Sequence, residues 1–267
     1  MRIIRFLDEK GCVCYGLPRE EGVADVVTGD LASGFNSVGR TVRVGKLLAP
    51  VNPSAILCVG LNYHCHAEEF GLPLPSHPIL FMKNPASVVH PGDPVVLPSS
   101  CLDPPQVDYE MELAVVIGRA VKDVPVDSAL EYVFGYTIGN DVSARIWQKE
   151  GGGGQWVRGK SFDTFCPLGP ALVTADEIPD PQDLSLRCTI NGKTMQEGHT
   201  SDMIYPVREL IAYLSEGTTL LPGTVILTGT PSGVGFARTP PVFLSPGDLI
   251  EMTIEEIGIL KNPVVKV

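Results

Sequence analysis

A β-rich α+β fold, with a small N-terminal sheet ahead of a larger body, is predicted by three observations on the sequence. Gly (28) and Pro (24) make up about a fifth of the 267 residues against a usual share of about an eighth, so turns are frequent and long helical bundles are excluded. Apolar residues recur mainly in short runs bounded by Gly, Pro or charge, which is the pattern of strands. Helical spacing appears in only a few places. With 44% hydrophobic and 19% charged residues, the composition is that of a folded chain rather than a disordered one.

In chain order, Ile3–Leu7, Val13–Gly16 and Val23–Val27 read as strands of a small sheet. A Pro-rich joint at Leu48-Ala-Pro-Val-Asn-Pro-Ser separates residues 1–50 from residues 51–267. Beyond it the predicted strands are Ile56–Gly60, Ile79–Met82, Val95–Leu97, Glu110–Gly118, Phe134–Asp141, Leu184–Ile190, Thr224–Thr228 and Leu249–Ile254. Asn191-Gly192 closes a hairpin. Helices are predicted at His64–Phe70, Asp127–Val133, Val142–Lys149 and Pro206–Ser215, where Val207, Leu210, Ile211 and Leu214 share one face.

The net charge of −11 opposes nucleic acid and anionic membrane surfaces as partners. No stretch approaches the roughly 20 apolar residues that a membrane span requires. Seven cysteines, odd in number and without a C-x-x-C pair, suit a reducing, cytoplasmic setting, and those inside apolar runs read as small buried hydrophobes.

Four groups of residues carry chemistry. Along the strand opened by Asp108-Tyr109-Glu110-Met111-Glu112, alternation aims Glu110 and Glu112 at one face and Met111 and Leu113 at the other. Adjacent like charges repel unless a proton or cation lies between them, although a solvated strand end would also tolerate them. Asp141 ends the run from Phe134 and reads alone as a helix N-cap. With the Glu pair it makes an all-oxygen set that suits Mg²⁺, with Mn²⁺ or Ca²⁺ as substitutes.

His66 and Glu69 stand three apart on a predicted helix, the spacing at which a carboxylate fixes an imidazole tautomer and raises its basicity. His64 with His66 could instead ligate a metal, and a solvated surface helix is the plain alternative. The remaining groups are the Gly-rich Gln155-Trp-Val-Arg-Gly-Lys-Ser-Phe-Asp and Thr228-Gly-Thr-Pro-Ser-Gly-Val-Gly. Neither has the spacing of a phosphate loop. Lys160 offers a cation to an anionic substrate, and Thr230 with free backbone amides offers a cradle for a carboxylate.

These residues resemble the fumarylacetoacetate hydrolase family from about Pro53 to the C-terminus, nearest its domain-containing protein 2-like, oxaloacetate tautomerase subgroup. The resemblance rests on Gly-Leu-Asn-Tyr-x-x-His-x-x-Glu at 60–69, Phe-Met-Lys-Asn-Pro at 81–85, Asp-Tyr-Glu-x-Glu-Leu at 108–113 and Asn-Asp-Val-Ser-Ala-Arg at 140–145. Gly-Lys-Ser-Phe-Asp at 159–163, Thr-Gly-Thr-Pro-x-Gly-Val-Gly at 228–235 and Pro-Gly-Asp at 246–248 complete it.

It implies a mixed β-sandwich or β-roll catalytic domain over 51–267, a homodimer, and metal ligation by Glu110, Glu112 and Asp141. His66 and Glu69 match the dyad of a mobile lid and form the catalytic set with Lys160, while Arg145, Gln148 and Thr230 match substrate-binding positions. The implied chemistry is Mg²⁺-dependent and acts on a small 2-oxo acid or β-diketo acid through a stabilised enolate. Its outcome is C–C hydrolysis of the acylpyruvase type, or oxaloacetate tautomerisation or decarboxylation. A scaffold that only binds a metal and a small acid is the alternative. Ile146 departs from the family's Arg-Asp pair and His199 from a smaller polar residue; the spacing predicts that Ile146 turns away from the site.

Overall fold

The computed structural model describes residues 1–267. Strands β1 (Arg2–Asp8), β2 (Val13–Pro18), β3 (Val23–Asp30) and β4 (Gly34–Leu48) form an antiparallel N-terminal group. Next come β5 (Ala55–Gly60), α1 (His64–Phe70), β6 (Ile79–Lys83), β7 (Val88–Val89), β8 (Val95–Leu97), β9 (Val107–Asp108), β10 (Met111–Ile117) and β11 (Val133–Asn140). The third quarter holds β12 (Ser143–Ala144), α2 (Arg145–Lys149), α3 (Val157–Lys160), β13 (Cys166–Thr174), β14 (Ser185–Ile190) and β15 (Lys193–His199). The chain ends with α4 (Val207–Ser215), β16 (Thr224–Leu227), β17 (Leu249–Ile254) and β18 (Gly258–Lys266).

An 11-stranded sheet runs β2-β3-β4-β1-β13-β11-β10-β16-β5-β6, with β7 paired to β13. It is mixed: β16 pairs with β5 in parallel, whereas β10 is antiparallel to both its neighbours. A five-stranded sheet, β15-β14-β17-β18-β8, and the β9/β12 pair complete the β-rich architecture. No helix is long and apolar enough to cross a membrane.

Strand β10 shows why the apolar run after Glu112 is unbroken. Met111, Leu113, Val115 and Ile117 join the largest apolar cluster, with Leu186 of β14, Ile250 of β17 and Leu210 of α4. Ala114 and Val116 pack on the opposite face with Ile56, Cys58, Phe81 and Leu227. A strand covered on both sides cannot alternate apolar with polar residues.

The predicted strands are present, and seven more appear, three of them the two-residue β7, β9 and β12. In β4, Gly34, Gly39 and Gly45 mask an alternation at Val42 and Val44 that pairing with β3 and β1 reveals. β13 contains Pro167, Gly169 and Pro170, residues that argue against a central strand; irregular register against β11 accommodates them. β15 and β18 are the others. The segment Val126–Tyr132 is a 3₁₀ helix rather than an α-helix. The helix expected from Val142 begins at Arg145, because Ser143 and Ala144 pair with Asp108 and Val107.

Candidate active site

Strand register assembles the carboxylates. Met111 faces Asn140 and Glu112 faces Gly139 in the β10/β11 ladder, and Asp141 N donates to Glu110 O at 2.8 Å. Asp141 therefore stands opposite Glu110 and shares its face. One oxygen from each of Glu110, Glu112 and Asp141 lies within 4.8 Å of the others, and all three residues are buried. Asp141 caps no helix; its carboxylate points to the cluster, as its bonds to Lys83 and Lys160 show.

Three cations surround four carboxylates. Lys160 Nζ donates to Glu110 Oε2 at 2.7 Å and to Asp141 Oδ2 at 2.6 Å. Lys83 Nζ donates to Asp141 Oδ1 at 2.6 Å, and Arg145 Nη1 to Glu110 Oε1 at 2.6 Å. Arg145 also grips Asp108 through Nε at 2.9 Å and Nη2 at 2.7 Å. Glu112 has no cation partner: its Oε2 accepts only from Gly229 N, at 2.7 Å.

The titration of these groups follows. Burial pushes the Glu112 carboxyl well up, and Asp141 and Glu110 add to the shift. Burial raises Glu110 as well, but Lys160 and Arg145 outweigh it and hold that carboxyl below the usual range. Burial disfavours the Lys160 ammonium, yet Asp141 and Glu110 hold its titration above the ordinary value. Three buried, hard oxygen donors with one carboxylate lacking a counter-charge fit a divalent cation of the Mg²⁺ or Mn²⁺ type.

Helix α1 faces this cluster. His66 Nδ1 and Glu69 Oε2 are 2.9 Å apart, which leaves Nε2 as the basic nitrogen when Nδ1–H donates to the carboxylate. Glu69 Oε1 accepts from Gly233 N at 2.8 Å, tying α1 to the 228–235 loop. That loop depends on Gly229, at φ +98°, where a Cβ would stand 2.7 Å from Asn62 Cβ. Thr230 Oγ1 accepts from Gln196 Nε2 at 2.7 Å, and Gln148 Oε1 accepts from Arg145 Nη1 at 3.1 Å.

A cavity of about 220 Å³ joins Glu110, Glu112, His66, Lys160, Arg145, Gln148 and Thr230. Apolar residues, including Phe70, Ile79, Phe81, Trp156 and Phe236, form the rest of its wall. Trp156 crosses Gly60 so closely that a Cβ there would lie 2.4 Å from its ring. A larger, more open hollow of about 570 Å³ beside α4 lacks all these groups, so chemistry places the site in the smaller cavity.

The other sequence candidates fall elsewhere. His64 is exposed and His199 caps a 3₁₀ turn beside Ser201; neither lines the cavity, so His199 does not read the substrate from its wall. Ile146 is absent from the wall too, while Arg145 and Gln148 on the same helix are part of it. Lys160 is committed to two carboxylates rather than free for an incoming anion.

Sequence reasoning passed over Lys83, Asp108 and Gln196. Lys83 shares the inward face of β6 with Ile79 and Phe81, and a lysine on such a face is a legible signal. Asp108 precedes Glu110 by two residues and accepts from Gly235 N and Phe236 N at 2.8 and 2.9 Å, so it holds both Arg145 and the loop that carries Phe236. Gln196 lies in β15, the return strand of the Asn191-Gly192 hairpin, whose extent the sequence does not mark.

The β-rich body and the buried acid–base cavity define a class, an enzyme built on a mixed β fold. The family described as fumarylacetoacetate (FAA) hydrolase C-terminal matches residues 55–265. The oxaloacetate tautomerase fahd2, mitochondrial, of Xenopus laevis is 50% identical over 221 residues, covering 82% of this chain and 68% of that protein. The human oxaloacetate tautomerase FAHD2A, mitochondrial, is 50% identical over 219 residues, covering 82% and 69%. Among solved structures, a 5-carboxymethyl-2-hydroxymuconate delta-isomerase from Mycobacterium smegmatis aligns over 100% of both chains, with TM-score 0.87 and 40% identity. A 2-hydroxyhepta-2,4-diene-1,7-dioate isomerase from Mycobacterium marinum covers 100% of this chain and 98% of its own, with TM-score 0.84 and 41% identity. The chain belongs to the fumarylacetoacetate hydrolase family and is an enzyme of that family.

Proposed function

We propose that this enzyme interconverts the keto and enol forms of a small dicarboxylic 2-oxo acid of the oxaloacetate type. The observation that carries the reading is that His66, held by Glu69, lines one cavity with Glu110 and Glu112 of the three-carboxylate cluster. Relatives at 50% identity are named for oxaloacetate tautomerisation, and a solved neighbour is named for isomerising a dioate.

Glu110, Glu112 and Asp141 would hold Mg²⁺, which when bound supplies Lewis-acid stabilisation of the charge developing on the 2-oxo oxygen. His66 Nε2 takes a C3 proton as the C2=C3 double bond forms, and returns that proton to the oxygen to give the enol. Glu69 keeps the imidazole in the tautomer that presents Nε2. Lys160, fixed between Glu110 and Asp141, orders two of the three carboxylates and places positive charge beside the site. Arg145 has one Nη2 hydrogen left after its bonds to Asp108, Glu110 and Gln148, and with Gln148 and Thr230 it orients the substrate carboxylate.

Seven free thiols suit a reducing compartment, and we place the enzyme in the cytoplasm, although the Xenopus and human relatives are named as mitochondrial. A homodimer fits the unpaired β6 edge, where Leu80 and Met82 are exposed. The test follows enol absorbance of oxaloacetate with Mg²⁺-loaded protein while assaying pyruvate. Accelerated approach to keto–enol equilibrium without pyruvate supports the reading; pyruvate formed in step with substrate loss makes the enzyme a decarboxylase instead.

A further inference from the structure

Lys149 is the one cation of the cavity wall with no partner. Arg145 and Lys160 are bound by carboxylates, whereas Lys149 makes no salt bridge and no side-chain hydrogen bond. Its position is nevertheless set: Nζ stands 3.6 Å from the centroid of the Phe236 ring. The same ring receives the Arg145 guanidinium at 6.0 Å and stacks on Phe70 at 6.2 Å. Phe236 therefore carries both cations, one paired and one not.

Helix geometry explains the row. Arg145, Gln148 and Lys149 lie at i, i+3 and i+4 on α2, so they share a face, and that face lines the cavity. Arg145 touches the carboxylate cluster through Glu110, and Lys149 continues the row one turn further along. Partial burial and the nearby Arg145 both disfavour its unpaired ammonium. An anion beside it relieves both effects, and the aromatic surroundings strengthen the attraction. A methyl group in the same place would leave the charge uncompensated.

We propose that Lys149 is a specificity residue that pairs with the distal carboxylate of the substrate, selecting dicarboxylic 2-oxo acids over monocarboxylic ones of equal length. This rests on the 2-oxo acid reading of the site given above. The probes are oxaloacetate and 2-oxobutanoate, which have the same carbon count and differ by a carboxylate in place of a methyl group. Calorimetric titration of Mg²⁺-loaded wild type should show oxaloacetate binding roughly tenfold tighter or more, the scale of one partly desolvated charge pair.

Lys149→Met should remove most of that preference, weakening oxaloacetate far more than 2-oxobutanoate, and Lys149→Arg should retain it. An undiminished preference in Lys149→Met, with both acids bound and enol turnover intact, overturns the role of Lys149 and leaves the reading of the site standing. Failure of wild type to bind either acid overturns that reading and this inference with it. Lys149 forms no ion pair and no side-chain hydrogen bond and is only partly buried, so urea midpoints of the variants should stay close to wild type.

Discussion

Arg145 and Asp108 form a buried ion pair in which one carboxylate oxygen, Oδ2, accepts from both Nε and Nη2 of the guanidinium. The second oxygen of Asp108 accepts from Gly235 N, and the remaining Arg145 bonds reach Glu110 and Gln148. This one carboxylate thus joins α2, the 228–235 loop and the carboxylate cluster. Asp108→Asn leaves the Arg145 charge partly uncompensated and should destabilise the fold by about 3–5 kcal/mol. Urea unfolding measures this, and a loss below the range seen for surface substitutions contradicts a structural role for the pair.

Glu112 gives a pH prediction. Without a divalent cation its carboxyl titrates well above the ordinary value, because burial, Asp141 and Glu110 disfavour its charge. A carboxyl raised on folding binds its proton more tightly in the folded chain. Its contribution is therefore present at low pH and lost as pH rises from the ordinary carboxylate range towards the folded value. In chelator, Glu112→Gln should gain stability over wild type as pH rises through that window. The same variant should no longer be stabilised by added Mg²⁺ or Mn²⁺. Urea midpoints against pH, with and without cation, check both; a slope of opposite sign refutes the charge argument.

The thiols predict a labelling order. Burial pushes Cys166 up to about 12 and raises Cys58 and Cys188 as well, while Cys12 is exposed. Iodoacetamide at mildly alkaline pH should mark Cys12 first in the folded protein, as peptide mass spectrometry would read. Early modification of Cys58, Cys166 or Cys188 contradicts the packing.

Gly60→Ala tests the aromatic wall. The added methyl would enter the Trp156 ring, and relief requires Trp156 to move, at a cost of about 1–3 kcal/mol. The expected results are a shift in tryptophan emission and weaker substrate binding. Unaltered emission with unaltered KM would mean that Trp156 does not depend on Gly60.

Much of the site was legible because its elements obey simple periods. Alternation aims Glu110 and Glu112 together, helical spacing joins His66 to Glu69, and a short turn of helix puts Arg145 and Gln148 on one face. The rest depended on pairings between segments far apart in the chain. Asp141 reads locally as a cap, and only the β10/β11 register reveals that it meets Glu110. The start of α2 was misplaced because the β9/β12 pair claims Ser143 and Ala144. Prolines hid β13, whose neighbours on both sides enforce extension despite Pro167 and Pro170. Lys83 stands out only when β6 is read as a one-sided strand, and nothing local shows that the Asp108 charge is buried.

On the proposed mechanism, His66 moves the proton while the carboxylates hold the cation. The most direct measurement pairs the oxaloacetate keto–enol rate with Mn²⁺ affinity in wild type and His66→Ala. Loss of the proton carrier should lower turnover by about a hundredfold or more while Mn²⁺ affinity stays close to wild type. Unchanged turnover, or a loss of Mn²⁺ affinity that accounts for the slower rate, would contradict the division of labour between His66 and the Glu110, Glu112 and Asp141 cluster.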